Sequence, residues 1–160
     1  MPTSVLFVCL GNICRSPMAE AVFTATVREL GLESEFSKID SAGTAGYHVG
    51  DAPDSRSVAT CKAHGVAVNH RGQKVKVDDF NNFDYILCMD ESNLSNLKAI
   101  QPKGSKTVIR LFGEFDTDSS KGKIIEDPYY GGNEGFEINF QQVTRCSRGF
   151  LASLGFFNKE

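Results

Sequence analysis

Val5-Leu6-Phe7-Val8-Cys9-Leu10-Gly11-Asn12-Ile13-Cys14-Arg15-Ser16-Pro17 reads as an apolar strand, a short turn and the start of a helix. The apolar run before Cys9 fits a buried strand, and Pro17 suits the first helical position, where its missing N–H is of no consequence. In such a turn, successive backbone N–H groups and the unpaired N–H groups of the helix start converge on one point and favour negative charge there. Gly11 allows the backbone to approach a ligand closely. A phosphate or sulfate is therefore expected against Leu10, Gly11, Asn12, Ile13, Cys14, Arg15 and Ser16. Cys9 at the strand end would supply a nucleophile, with the helix dipole and Arg15 both favouring its thiolate form. The guanidinium fork of Arg15 can hold two oxygens of a phosphoryl group. On their own these residues leave several possibilities: a phosphatase, a reductase, an anion-binding module, or a buried cysteine beside a surface arginine.

The 160 residues are expected to form one domain, 1–160, with 41% hydrophobic and 23% charged residues as in an ordinary globular protein. A net charge of −3 argues against nucleic acid as the main partner, since binding a phosphate backbone needs a basic field. No apolar run reaches the length of a membrane span, and Met1-Pro2-Thr3-Ser4 has no basic flank of a secretory signal, which predicts a cytoplasmic protein. The five cysteines stand at irregular spacings with no CxxC pair and no zinc-like Cys/His array. Free thiols in a reducing compartment follow.

Strands and helices alternate outward from the opening run. Residues 17 to about 30 carry an apolar face at helical spacing (Met18, Ala19, Val22, Phe23, Val27, Leu30) that stops before Gly31. A second strand is predicted near Phe36–Ser41, and Asp54 is a plausible N-cap for a helix running to about His64-Gly65. Residues 66–83 are ambiguous. Asp84–Met89 reads as a third buried strand, Asp90 or Ser92 caps a helix ending before Pro102, and Thr107–Phe112 is a fourth strand. The polar, turn-rich stretch Gly113–Gly135 contains Asp127-Pro128-Tyr129-Tyr130 and is expected to be an ordered functional loop. A last helix spans about Glu134–Leu154, its aromatic residues at core spacing. This alternation predicts an α/β fold: a four-stranded parallel sheet flanked by helices on both faces, with the phosphate-binding loop after strand 1. Ligands of such sheets sit at the carboxyl ends of strands, where Cys9 falls.

Covalent phosphoryl transfer also needs an acid for the leaving oxygen. Asp127 is the best placed of the acidic residues, stiffened by Pro128 and flanked by two rings that can wall a pocket, although an aspartate before proline also fits a plain turn. With Asp127 added, the chain resembles the low-molecular-weight protein tyrosine phosphatases over essentially its whole length. The resemblance rests on Cys9–Pro17, Ile39-Asp40-Ser41, Tyr85–Leu94 and Asp127-Pro128-Tyr129-Tyr130-Gly131, in the family's order and separation.

The resemblance implies a protein tyrosine phosphatase that needs no metal or cofactor. Cys9 would attack phosphorus and Asp127 would protonate the phenolic oxygen, then activate water against the cysteinyl phosphate. Asn12 would hold the loop's shape, Ser16 would donate to the Cys9 sulfur, and Ser41 and His70 would support Asn12 from behind. Cys14 would pair with Cys9 on oxidation and protect it. Ile13, Tyr47, Tyr129 and Tyr130 would line a slot deep enough to prefer phosphotyrosine. Many relatives have tryptophan at the position of Tyr47, and related protein-arginine phosphatases have threonine at that of Ile13. The expected substrates are phosphotyrosine proteins and small aryl phosphates, acted on by a monomer or weak dimer. Arsenate reductases share the fold but depend on a downstream cysteine pair, and Cys88 has no companion before Cys146. No role is carried over to His48 or His64, and Cys61, Cys88 and Cys146 are expected in the core.

Overall fold

Strand β1, Thr3–Cys9, is buried along nearly its whole length, as a strand covered on both faces must be. Successive side chains point to opposite faces: Val5, Phe7 and Cys9 join one apolar cluster, Leu6 and Val8 the other. The computed structural model describes residues 2–129 and 132–156. Its sheet is four-stranded and wholly parallel, in the order β2 (Phe36–Gly43), β1, β3 (Tyr85–Cys88), β4 (Val108–Leu111). The chain leaves β1 to build β2 on one side and returns to build β3 on the other. The carboxyl end of β1 is therefore a switch point, and the loop 10–14 opens there.

Helices cover both faces, as expected from the alternation. On one side α1 (Arg15–Glu29) and α5 (Asn133–Ser153) bring Met18, Phe23, Phe136 and Phe150 into the cluster of Val5 and Phe7. Phe7 meets Phe112 and Phe23 edge-on, with ring centroids 4.9 and 5.5 Å apart. On the other side Leu97 of α4 (Glu91–Ile100) and Phe80 of the single turn α3 (Asp79–Asn82) pack on Leu6, Val8 and Ile86. Helix α2 (Ser55–Ala63) lies on the α1/α5 face, contributing Cys61. All five cysteines are buried and unpaired.

Several expectations change, β3 also being one residue shorter at each end than Asp84–Met89 and β2 running on to Gly43. Helix α1 begins at Arg15 rather than Pro17: proline is tolerated anywhere in the first turn, whose N–H groups lack intrahelical partners, so Pro17 does not mark the first residue. Ser16 is consequently inside the helix and buried, not its cap. Strand β4 ends short of Thr107–Phe112 on both sides. Thr107 turns its hydroxyl onto the carbonyls of Phe80 and Phe83 (2.6 and 2.7 Å), and Phe112 starts a 3-10 turn. The ambiguous stretch 66–83 has little regular structure before α3, and it bridges to the end of β2 through Gly43 N–H to Gln73 O (2.8 Å) and Val75 N–H to Gly43 O (2.9 Å).

Residues 113–127 of the long loop before α5 are tied to the rest of the fold. Ile125 N–H bonds to Met89 O at the end of β3 (2.9 Å), and Gln142 and Asn139 of α5 donate to Ile124 O and Glu126 O (both 3.1 Å). Arg145 clamps the buried Asp116 carboxylate through two bonds of 2.7 and 3.1 Å. These ties bring Asp127 to the carboxyl end of the sheet. Among the described residues no helix is long and apolar enough to cross a membrane.

Candidate active site

The turn after β1 closes on a cavity of about 200 Å³ lined by Cys9, Leu10, Gly11, Ile13, Cys14, Arg15, Tyr47, His48, Asp127 and Tyr129. Helix α1 starts at its wall with no side-chain cap and no acidic residue in the first turn. Its leading N–H groups thus have no carboxylate of their own to satisfy them, and an oxyanion suits the place. Glycine is required beneath the turn, because a Cβ on Gly43 would stand 2.7 Å from Leu10 O.

Asn12 holds the turn. It is the one non-glycine residue with positive φ (60°) among the described residues, a conformation asparagine tolerates better than most. Its buried side chain is fully used: Nδ2 donates to Ser16 Oγ (2.8 Å) and Ser41 Oγ (3.0 Å), and Oδ1 accepts from Gln73 N–H (2.9 Å). The backbone N–H at Gln73 fixes which end of the amide is oxygen. His70 Nε2, 2.7 Å from the same Oδ1, must then carry a hydrogen. Behind it Glu20 Oε1 lies 3.1 Å from His70 Nδ1 and accepts from Ser41 Oγ at 2.7 Å. Glu20, Asp40 and His70 are spaced closely enough for a metal ion. Their atoms are otherwise engaged, Asp40 accepting from Ser41 N–H (2.8 Å) and Gln73 Nε2 (3.0 Å).

The Cys9 sulfur sits at the base of the turn, 3.0 Å from Ser16 Oγ and accepting from Asn12 N–H at 3.3 Å. Because Ser16 Oγ already receives a hydrogen from Asn12, its own hydrogen is available to the sulfur. Arg15 is almost wholly buried. One arm, Nη1, is committed to Asp90 Oδ2 (2.7 Å) and Ile125 O (3.0 Å), while Nη2 faces Asp127 Oδ2 at 3.6 Å. Burial works against the guanidinium charge, but the Cys9 sulfur and the Asp90 and Asp127 carboxylates outweigh it and hold Arg15 above its ordinary value. The fork is therefore anchored by one arm, leaving its other edge for an anion.

Asp90 does double service, capping α4 in a reciprocal box with Asn93. The sequence shows it only as a cap. Glu20 and Gln73 also went unseen in sequence, for no local pattern marks a partner on another element. His48, given no role, lies on the cavity, its ring 3.0 Å from where a Cβ on Gly11 would stand. Its place one residue after Tyr47 was the available signal. Tyr47 is 76% exposed and forms the rim rather than a wall, whereas Tyr129 is 38% exposed and nearer the cavity. Tyr130 lies outside the described residues. Cys14 is buried beside Cys9, and burial first, then the charge of Asp54, pushes its thiol up.

The Cys9 sulfur, an anchored guanidinium and the Asp127 carboxylate thus converge on one cavity. The family model described as low molecular weight phosphotyrosine protein phosphatase matches residues 4–158. A low molecular weight phosphotyrosine protein phosphatase of Saccharomyces cerevisiae is 55% identical over 149 residues, covering 92% of each chain. A protein tyrosine phosphatase structure from Entamoeba histolytica, with Hepes in its active site, superposes with a TM-score of 0.90 at 38% identity, covering 96% of this chain and 97% of that one. A Drosophila arginine phosphatase structure matches with a TM-score of 0.87 at 38% identity, covering 94% and 96%.

Proposed function

The chain belongs to the low molecular weight phosphotyrosine protein phosphatase family, and we propose that Cys9, Arg15 and Asp127 hydrolyse phosphotyrosine in the cavity after β1. The observation that carries this assignment is the Cys9 sulfur held by Ser16 Oγ and Asn12 N–H within a cavity that Arg15 and Asp127 also line. The phosphoryl oxygens bind to the free edge of Arg15 and to N–H groups of residues 10–16. Cys9 Sγ attacks phosphorus, the bond from phosphorus to the phenolic oxygen breaks, and Asp127 gives that oxygen its proton. Asp127, now a carboxylate, takes a proton from water as the water attacks the cysteinyl phosphate. Inorganic phosphate leaves, and the Ser16 hydroxyl stabilises the departing thiolate. Fixed donors and a guanidinium meet the charge that develops on phosphorus.

Ile13, Tyr47 and Tyr129 give the hollow an apolar wall and rim that suit an aromatic ring. The likeness to an arginine phosphatase raises phosphoarginine as a second substrate, and isoleucine at position 13 favours the flat phenyl group over a guanidinium. The test is hydrolysis of a phosphotyrosine peptide, a phosphoarginine peptide and p-nitrophenyl phosphate in the presence of a chelator. Turnover of the first and third with little of the second is expected. Preference for phosphoarginine, or loss of all activity on chelation, would contradict the proposal.

Cys14 completes the proposal as the thiol that resolves an oxidised Cys9, with unpaired buried cysteines consistent with a reducing, cytoplasmic setting. Its raised pKa slows the resolving attack, since only thiolate reacts. Brief peroxide treatment is expected to inactivate the enzyme, with recovery under thiol reductant. In Cys14→Ser the inactivation should become largely irreversible; equal recovery in both proteins would remove Cys14 from this role.

A further inference from the structure

Arg56 lies on the first turn of α2, outside the machinery described so far, yet it is tied to both loops that form the cavity. Its Nε and Nη2 grip Asp54 at 3.1 and 3.0 Å, and Nη2 also donates to Tyr129 O at 3.0 Å. The guanidinium stacks against the ring of Phe136 on α5 (4.7 Å to the centroid) and approaches that of Tyr129 (5.6 Å). From Asp54 the connection runs into the phosphate-binding turn, because Asp54 N–H donates to Ile13 O at 2.8 Å. From Tyr129 it runs to the acid, because Tyr129 N–H donates to Asp127 Oδ1 at 3.0 Å. One continuous path thus joins Ile13, Asp54, Arg56, Tyr129 and Asp127.

The peptide on which Arg56 pulls is attached to the residue that orients the acid. Among the described residues, Asp127 has besides the Tyr129 N–H a long contact of 3.6 Å to Arg15, on a carboxylate that is 39% exposed. A displacement of about 1 Å in a catalytic group costs on the order of 100-fold in rate. A planar fork can satisfy a carboxylate and a carbonyl together while stacking on rings, which an ammonium cannot.

We propose that Arg56 is a positioning residue for proton transfer: it fixes the Tyr129 peptide, and through it the Asp127 carboxyl, relative to the phosphate-binding turn. The inference rests on Asp127 being the general acid. Arg56 is not among the residues that line the cavity, so its removal should spare phosphate binding and harm only the step that needs the acid.

The experiment measures kcat/KM for aryl phosphates of graded leaving-group acidity, together with inhibition by inorganic phosphate, in wild type, Arg56→Ala, Arg56→Lys, Asp127→Ala and the Arg56→Ala, Asp127→Ala double variant. For Arg56→Ala the expected loss is about 10- to 100-fold for phenyl phosphate and less than about 3-fold for dinitrophenyl phosphate, with phosphate inhibition unchanged. Arg56→Lys should fall between, keeping the charge near Asp54 without the fork, and it carries the test if the alanine variant does not fold. On the Asp127→Ala background, removing Arg56 should cost nothing further. Equal losses across the esters, weakened phosphate inhibition or an additive double variant would overturn the proposal. A flat series for Asp127→Ala would instead remove the acid assignment itself, and this inference with it. A steep series for Asp127→Ala with a flat one for Arg56→Ala would overturn the positioning role alone.

Discussion

Cys9→Ser is expected to lower turnover of a phosphotyrosine peptide by on the order of 10⁴-fold or more, with the fold intact. A serine hydroxyl at neutral pH is not ionised, and nothing among the described contacts of residue 9 would act as its base: Asn12 N–H is a donor, and Ser16 Oγ already receives a hydrogen from Asn12. The substitution keeps the size of the side chain and both neighbours, so stability should change by about 1 kcal/mol or less. Ligand binding should survive. Arg15 and the turn amides, which would bind the phosphoryl oxygens, are untouched. Steady-state kinetics, thermal melting and binding of a phosphotyrosine peptide check the three parts. Wild-type turnover in this variant would end the nucleophile assignment.

Asp127→Ala is expected to reduce kcat/KM by about 10²- to 10⁴-fold for esters of poorly acidic phenols, tyrosine among them, and far less where the leaving group departs without a proton. The ratio kcat/KM is the proper quantity, because it reports steps up to formation of the phosphoenzyme and not its later hydrolysis. Arg15 loses one carboxylate neighbour at 3.6 Å but keeps Asp90 at 2.7 Å, so the phosphate site remains charged and anchored. Inhibition by inorganic phosphate should accordingly be preserved. Equal losses across a leaving-group series would show that Asp127 supports the site without supplying the proton.

The parts of this site that sit within one stretch of chain were legible in sequence. Cys9, Asn12, Arg15 and Ser16 share a turn whose strand and helix announce themselves by apolar periodicity, and Asp127 stands out in a long loop beside Pro128 and two aromatic rings. The first-turn boundary was not legible, because Pro17 is compatible with more than one position and Ser16 looks like any cap. Nor were the partners that fix the turn's shape. Asp90 reaches Arg15 across 75 residues and Gln73 reaches Asn12 across 61, pairings set by strand order rather than by local pattern. Arg56 belongs to the same group: in sequence it is one more polar residue on a helix, and only the closure of the acid loop over α2 gives it a partner at Tyr129 O. The roles of Asn12, Ser16, Ser41 and His70 were found through the resemblance alone. Tyr47 does line the cavity, and its position at the exposed rim follows from the course of the backbone, which the residue type does not reveal.

The mechanism stands or falls on where the phosphoryl group rests between its two transfers. Rapid acid quenching of Asp127→Ala during turnover of a good-leaving-group ester, where phosphoenzyme forms but is hydrolysed slowly for want of a base, followed by mass analysis of the peptides, locates it. A phosphoryl group on Cys9, present in Asp127→Ala and absent when Cys9→Ser is added, is the predicted result. Phosphate released with no phosphoenzyme at any quench time, or a phosphoryl group on His48 or another residue of the cavity, would contradict it.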